Sequence, residues 1–357
     1  PAGSRRWTYG LSPFKRDHPE YLFGVPEDYN KYGGDSPRKY WSGLDFSFPE
    51  VREHIFLLIQ EVCEEYDIDG VEMDFLRAFP YFPPGLDNQP AGPEHMDMMT
   101  ELVRRIRRMA NEVGTRRGRP ILLAPRVPLT ADVSRFHGLD VEQWLKEGLV
   151  DLVIAGHGDW RCRPMSMIGQ AVELGHQYNV PVYASVAAFF DHPWQYLHLG
   201  GVGVTGPRSW PRTGTLQAWR GVAMSAWGAG ANGMYTFNVW NPNNQLFREI
   251  GDPDVMAGLD KIYGVAKLGN ISGPPVRGSL AGSTKHGKYD ISLTVKLKEG
   301  QSVSADLRVG TDVHSKTVSK LWFRVHLAGT TGEEQVTVKL NESRPLHVRD
   351  RGQDGAL

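Results

Sequence analysis

The chain has 357 residues, 40% hydrophobic and 23% charged, and its 40 Lys and Arg against 41 Asp and Glu leave a formal net charge of -1. Such a composition suits a globular protein with one large domain and a smaller one, and it excludes partners that need a basic surface, namely nucleic acid and anionic membranes. No apolar run of about eighteen residues is present to cross a bilayer, and two distant cysteines, Cys63 and Cys162, offer neither a disulfide framework nor a metal spacing, so no cofactor or metal is expected.

Residues 1–45, rich in Gly, Pro, Tyr and Trp without periodicity, read as a long irregular loop of the kind that serves as a lid or binding segment. A helix is expected over 49–66, capped by Ser47, with Glu50 completing an S-x-x-E box and Pro49 in the first turn. Its apolar stripe is Val51, Ile55, Leu58, Ile59 and Val62. A strand follows over 69–75, a helix over 93–113 and a strand over 120–127. Asp140 caps a short helix through Lys146 that Gly148 ends, and a strand covers 150–155. Then come a helix over 166–178, a strand over 180–186, a helix over 215–228, a strand over 233–239 and a helix over 253–267.

This βαβα order predicts an α/β fold with a mostly parallel sheet. Five strands suit an open doubly wound sheet or part of a barrel. No glycine-rich phosphate loop follows any strand, and polar residues gather at most strand C-terminal ends, which favours a (β/α)8 TIM barrel. A complete outer helix precedes the first strand, so the chain is expected to begin partway round the barrel, with three strands missing. The expected domains are a barrel portion over 1–272 and a β-rich, sandwich-like module over 273–357. The module's strand-like segments are Tyr289–Leu297, Ser302–Val309, Lys320–Leu327 and Glu334–Leu340.

The first strand, Asp-Gly-Val-Glu-Met-Asp-Phe from Asp69, carries the sharpest chemical signal. Alternation places Glu72 and Asp74 on one face and Val71, Met73 and Phe75 on the other. Two carboxylates facing a barrel interior are costly unless paired or working, and neighbouring carboxylates can divide acid and base roles. The alternative is a buried structural network with Arg77. Arg126, between two prolines at the end of the second strand, either binds an anionic group or neutralises Asp74. His157, Asp159 and Trp160 follow the third strand between glycines, with His157 a candidate base. Met234, Thr236, Asn238 and Trp240 share one parity on the last strand, with Asn238 a hydrogen-bonding group beside Trp240 as a stacking platform or a plug. His18, Tyr81, Phe82 and Trp210 are further candidates at the same mouth.

Asp-Gly-Val-Glu-Met-Asp-Phe-Leu-Arg (69–77), with the upstream pieces Ser12–Glu20 and Leu44–His54, resembles bacterial glycoside-hydrolase-like barrel proteins across most of residues 10–345. Among characterised barrels the distant resemblance is to glycoside hydrolase family 156, the inverting exo-sialidases. The resemblance implies a barrel followed by β-structure, a homodimer, a carbohydrate substrate and arginines that grip a sialic acid carboxylate. By position, Arg77 and Arg126 match substrate-holding arginines and Asn238 an active-site asparagine; that family's catalytic pair has no match in this chain. The expected function is glycosidic bond hydrolysis, with Glu72, Asp74 and His157 as catalytic candidates and Arg77, Arg126, Asp159, Trp160, Asn238 and Trp240 as binders. The alternative is a non-catalytic carbohydrate-binding or scaffolding barrel. Compartment is left open between periplasm, exterior and cytoplasm.

Overall fold

The computed structural model describes residues 11–31, 38, 41–76, 80–156, 168–186, 189–190, 212–213, 216–237, 239, 242–263, 309–312 and 317–319. The chain divides into two compact units, Pro1–Asp191 with Gly206–Thr311, and His192–Thr205 with Asp312–Leu357. The boundary expected at 272/273 lies outside the described residues, as do the strand-like segments of the expected β-rich module apart from Val309.

In the first unit, α1 (Pro13–Asp17), a 3-10 turn (Pro19–Tyr21) and α2 (Asp28–Lys31) occupy part of the stretch expected as irregular loop. Ser12 caps α1 by accepting from the Lys15 N–H. The hydrophobic signal there is too short to register as periodicity, since each helix makes little more than one turn.

Helix α3 (Pro49–Glu65) has Phe48 at its N-cap in place of the expected Ser47. The Asp45 carboxylate takes the Ser47 N–H at 2.8 Å, and Arg52 Nη1 reaches the Ser47 carbonyl at 3.0 Å. Ser47 therefore belongs to an Asx turn before the helix. Strand β1 (Gly70–Asp74) follows, then a second 3-10 turn (Pro83–Asp87) and α4 (Pro93–Arg117). α4 buries Met99, Leu102, Val103, Ile106, Met109, Ala110 and Val113, the recurrence expected of a helix with one face on a core.

After β2 (Leu122–Pro128) come α5 (Ala131–Phe136) and α6 (Val141–Lys146). Asp140 caps α6 through the Gln143 N–H as expected, and Gly148 follows it at φ 64°. Then follow β3 (Val153–Gly156), α7 (Ile168–Gln177), β4 (Val182–Val186), the short pair β5 (Phe189–Phe190) and β6 (Arg212–Thr213), and α8 (Leu216–Trp227). The last described elements are β7 (Gly233–Thr236), α9 (Leu246–Glu249) and α10 (Pro253–Met256). The helix expected over 253–267 is thus four residues within the described part, because Gly258 and the turn after Met256 interrupt it.

The main sheet has five strands in the order β1-β2-β3-β4-β7, every neighbouring pair parallel. Parallel neighbours need crossover connections, which the helices between the strands supply. One face packs under the helices: Met73, Leu123, Val127, Val153, Ala155, Val182, Ala184 and Val186 are all buried there. Trp144 is fully buried in that layer and donates its indole N–H to Thr100 Oγ1 at 3.0 Å. No helix among the described residues is long and apolar enough to cross a membrane.

The sheet is strongly curled. β1 and β7 are its two edges, four strand steps apart, which in a flat sheet is about 19 Å. Yet the Tyr235 hydroxyl on β7 donates to Glu72 Oε1 on β1 at 3.0 Å. A Glu and a Tyr side chain joined by one hydrogen bond span at most about 14 Å, so the edges bend toward each other over a shared concave face. The architecture is an α/β fold resembling an incomplete (β/α) barrel, as the element order predicts.

Candidate functional site

The concave face is built by strand alternation and register. On β1 the buried side chain is Met73, while Glu72 and Asp74 turn to the opposite face. Register places Asp74 beside Arg126, Arg126 beside Ile154, Ile154 beside Tyr183 and Tyr183 beside Gly233. Residues in register on parallel strands share a face, so these positions form one inward layer. Gly233 leaves room for its neighbour's ring: a Cβ there would lie 2.7 Å from Tyr183 Cζ. Ser185 and Tyr235 make the next layer toward the strands' C-terminal ends.

Arg126 is the hub. Its side chain is 1% exposed, whereas those of Glu72 and Asp74 are 37% and 32% exposed. Arg126 Nη2 donates to Asp74 Oδ1 at 2.7 Å and Oδ2 at 2.8 Å. Its Nε lies 3.8 Å from Glu72 Oε1, and its guanidinium carbon sits 4.4 Å from the centre of the Phe237 ring and 5.7 Å from that of Tyr235. The two rings lie over the cation and help to keep water from it. Of the two roles the sequence leaves open for Arg126, the geometry realises neutralisation of Asp74, from the adjacent strand. A buried guanidinium is stable only when paired in this way.

The two carboxylates differ. Asp74 Oδ1 also accepts the Leu76 N–H at 3.0 Å, so Asp74 is fixed by backbone and guanidinium together. Glu72 is held by the phenol of Tyr235. Burial, then the Glu72 charge and hydrogen bond, push Tyr235 up to about 12, so the phenol stays protonated and donates at any working pH. The arrangement is one anchored ion pair and one more open carboxylate with a neutral hydrogen-bond donor on one oxygen. Chemically it can stabilise positive charge, accept a proton from a hydroxyl or water, and stack an apolar ring face on Phe237.

The structure thus brings together Glu72, Asp74 and Arg126 among the residues singled out from sequence. Arg77, His157, Asp159, Trp160, Asn238 and Trp240 lie outside the described residues, as does Trp210. Tyr81 and Phe82 are buried at 8% and 2% exposure. Tyr81 donates to the Phe75 carbonyl at 2.7 Å, and burial raises its pKa, with the Asp74 charge adding to the effect. Both serve the core in place of an open mouth. His18 stays at the surface beside Glu20, 3.2 Å away.

Sequence reasoning missed Tyr235 and Phe237. It singled out the parity of Met234 and Thr236, but Met234 pairs in register with the buried Ala184 and Thr236 with the buried Val186, on the helix side. The other parity, two aromatics alternating in Met-Tyr-Thr-Phe, was the available signal. Among the described residues no group of three or more His, Cys, Asp or Glu could hold a metal ion.

No protein-family profile matches the chain, and no curated protein matches it. Several solved structures share a weak likeness. A glycoside hydrolase family 18 N-acetylglucosaminidase from Paenibacillus barengoltzii is 20% identical over 41% of this chain and 46% of its own, with a TM-score of 0.30. A chitinase from Bacillus thuringiensis is 13% identical over 42% of this chain and 28% of its own, at 0.28. A multi-modular cell-surface chitinase from a Paenibacillus species is 15% identical over 41% of this chain and 18% of its own, at 0.29. The chain spans less than half the length of each.

Proposed function

We propose that this protein is a glycoside hydrolase whose open carboxylate, Glu72, transfers the proton, with the Asp74–Arg126 pair as its fixed electrostatic neighbour. One observation carries the reading. On a curled parallel sheet Glu72, third of the five residues of β1 and two before Asp74 at that strand's C-terminal end, faces the concave side, is partly open to solvent, and is oriented by the Tyr235 phenol. Barrel enzymes place their chemistry at that end, and glycoside cleavage needs a carboxyl beside the scissile oxygen, helped by charge that steadies an oxocarbenium-like state. Phe237 supplies an apolar surface near the carboxylates on which a sugar ring can stack.

The assay is release of the aryl group from a panel of neutral and acidic aryl glycosides. Glu72→Gln should lower turnover at least about 100-fold, the range a general acid or base supplies. Asp74→Asn should lower it comparably by freeing Arg126. Near-normal rates in both variants, or no release by the wild type from any substrate, would overturn the reading.

A second reading is a barrel that binds carbohydrate without cleaving it. Asp74 is committed to Arg126, which leaves Glu72 as the more open carboxylate of the described pair, whereas most glycosidases use two. Calorimetric binding with no product would decide for this reading. The exo-sialidase version requires a guanidinium free to grip a substrate carboxylate. Arg126 is enclosed and already neutralised, so that version rests on Arg77, outside the described residues.

A further inference from the structure

We infer that His95 is a pH-operated latch at the start of α4: the neutral ring caps the helix and holds the β1–α4 connection, and the protonated ring releases it. The inference stands apart from the carbohydrate reading. It rests on one ring nitrogen with two partners that it cannot keep together. His95 Nδ1 accepts the Gly92 N–H at 2.9 Å and lies 3.3 Å from Glu94 Oε1. The first contact needs a lone pair on Nδ1, and the second needs a proton there. A neutral imidazole with its proton on Nε2 makes the cap. An imidazolium sets two donors against each other, so it gives up the Gly92 N–H and pairs with the carboxylate.

The surroundings suit both states. Gly92 is the N-cap of α4 and has no side chain to cap with, so the ring at the helix's third residue supplies the acceptor. The same glycine makes room for the other partner, because a Cβ on Gly92 would collide with both Glu94 carboxylate oxygens. The His95 side chain is 13% exposed, so solvent protons reach it, and its ring centre lies 4.6 Å from that of Phe82. Among the described residues, Glu94 on the same helix is the charged group in contact with the ring, and Phe82 from the preceding 3-10 turn side is apolar. The positive end of the α4 dipole opposes a charged ring at this place. What the latch holds is the stretch from Pro80 to Gly92. Within it Tyr81 donates to the Phe75 carbonyl at 2.7 Å and accepts the Phe46 N–H at 2.9 Å, and Ala91 donates its N–H to the Phe136 carbonyl at 3.0 Å. Phe75 follows Asp74 directly, so release at acid pH loosens the brace on the end of β1.

The test is amide hydrogen exchange of the full chain, read by mass spectrometry on peptides covering residues 80–95 and corrected for the intrinsic pH dependence. Protection is taken relative to Leu102–Val113 in the same helix, which removes any global change in stability. From about pH 7.5 to about pH 5, where histidines change charge, relative protection should fall at least about fivefold, the worth of one helix cap. His95→Gln keeps a side-chain acceptor that does not titrate, and should hold its protection to within about twofold across the same range. His95→Ala should already exchange at the fast rate at the higher pH. No fall in the wild type, an equal fall in His95→Gln, or wild-type protection in His95→Ala at the higher pH would each overturn the latch.

Discussion

Replacing Arg126 with Met tests the physical centre of this structure. Methionine keeps the length and apolar stem and deletes the charge. The guanidinium is 1% exposed and makes two contacts of 2.7 and 2.8 Å to Asp74. Removing one member of a buried pair costs about 3–5 kcal/mol when the other is left buried and alone. Here the survivors are carboxylates 37% and 32% exposed, which water can partly rescue. The expected cost is therefore lower, about 2–3 kcal/mol. The converse change, Asp74→Asn, strands a cation that water cannot reach and should cost more than Arg126→Met. The double variant should be less destabilised than the sum of the singles, by about 1–2 kcal/mol. Urea unfolding of the four proteins, followed by circular dichroism, reads all three quantities. A cost below about 0.5 kcal/mol for Arg126→Met, or additivity within about 0.5 kcal/mol, would refute a buried, Asp74-paired Arg126.

Tyr235→Phe removes the hydroxyl contact between the two sheet edges while keeping the ring. It should cost about 1 kcal/mol or less in urea because Glu72 is partly solvated, yet lower turnover of any accepted glycoside at least about tenfold by freeing Glu72. Burial lowers His137 from 6.5 to about 3. Its folded-state pKa is depressed, so its contribution is present above the unfolded value and is lost as pH falls from about 6.5 toward 3. Between pH 7 and pH 5 stability should drop by about 2 kcal/mol from this group, and His137→Gln should show a correspondingly flatter profile in the same window. Glu249 pairs with the buried Arg220 at 2.8 and 3.0 Å, and the Arg220 hydrogen bond holds its carboxyl below the usual range. Its stabilisation is present above about pH 4.5 and is lost as pH falls below it, and Glu249→Gln should cost about 3 kcal/mol at neutral pH by urea unfolding.

Local rules carried much of this fold. Asp140 and Gly148 bound α6 because capping needs only a side-chain acceptor at one end and a positive φ at the other, both properties of single residues. The βαβα alternation predicted the parallel sheet, since short apolar segments bounded by turn residues and set between helical repeats suit buried strands joined by helical crossovers. Ser47 shows the limit. Its S-x-x-E pattern is intact and the helix starts at Pro49 as expected, but Asp45, two residues upstream, holds the Ser47 N–H in a turn, and Phe48 takes the cap position.

That Glu72 and Asp74 share a face, opposite Met73, was decided by sequence alone, because side chains along a strand alternate whatever surrounds them. What stands against them was not. Tyr235 is 163 residues away, and its contact with Glu72 exists because five parallel strands pack side by side and curl. The parity of β7 likewise became definite only through register with Ala184 and Val186, which turned Met234 and Thr236 to the helices and left Tyr235 and Phe237 to the cavity. Alternation is a property of one strand's backbone, whereas curl and register belong to the neighbours, and no pattern within a single segment encodes them.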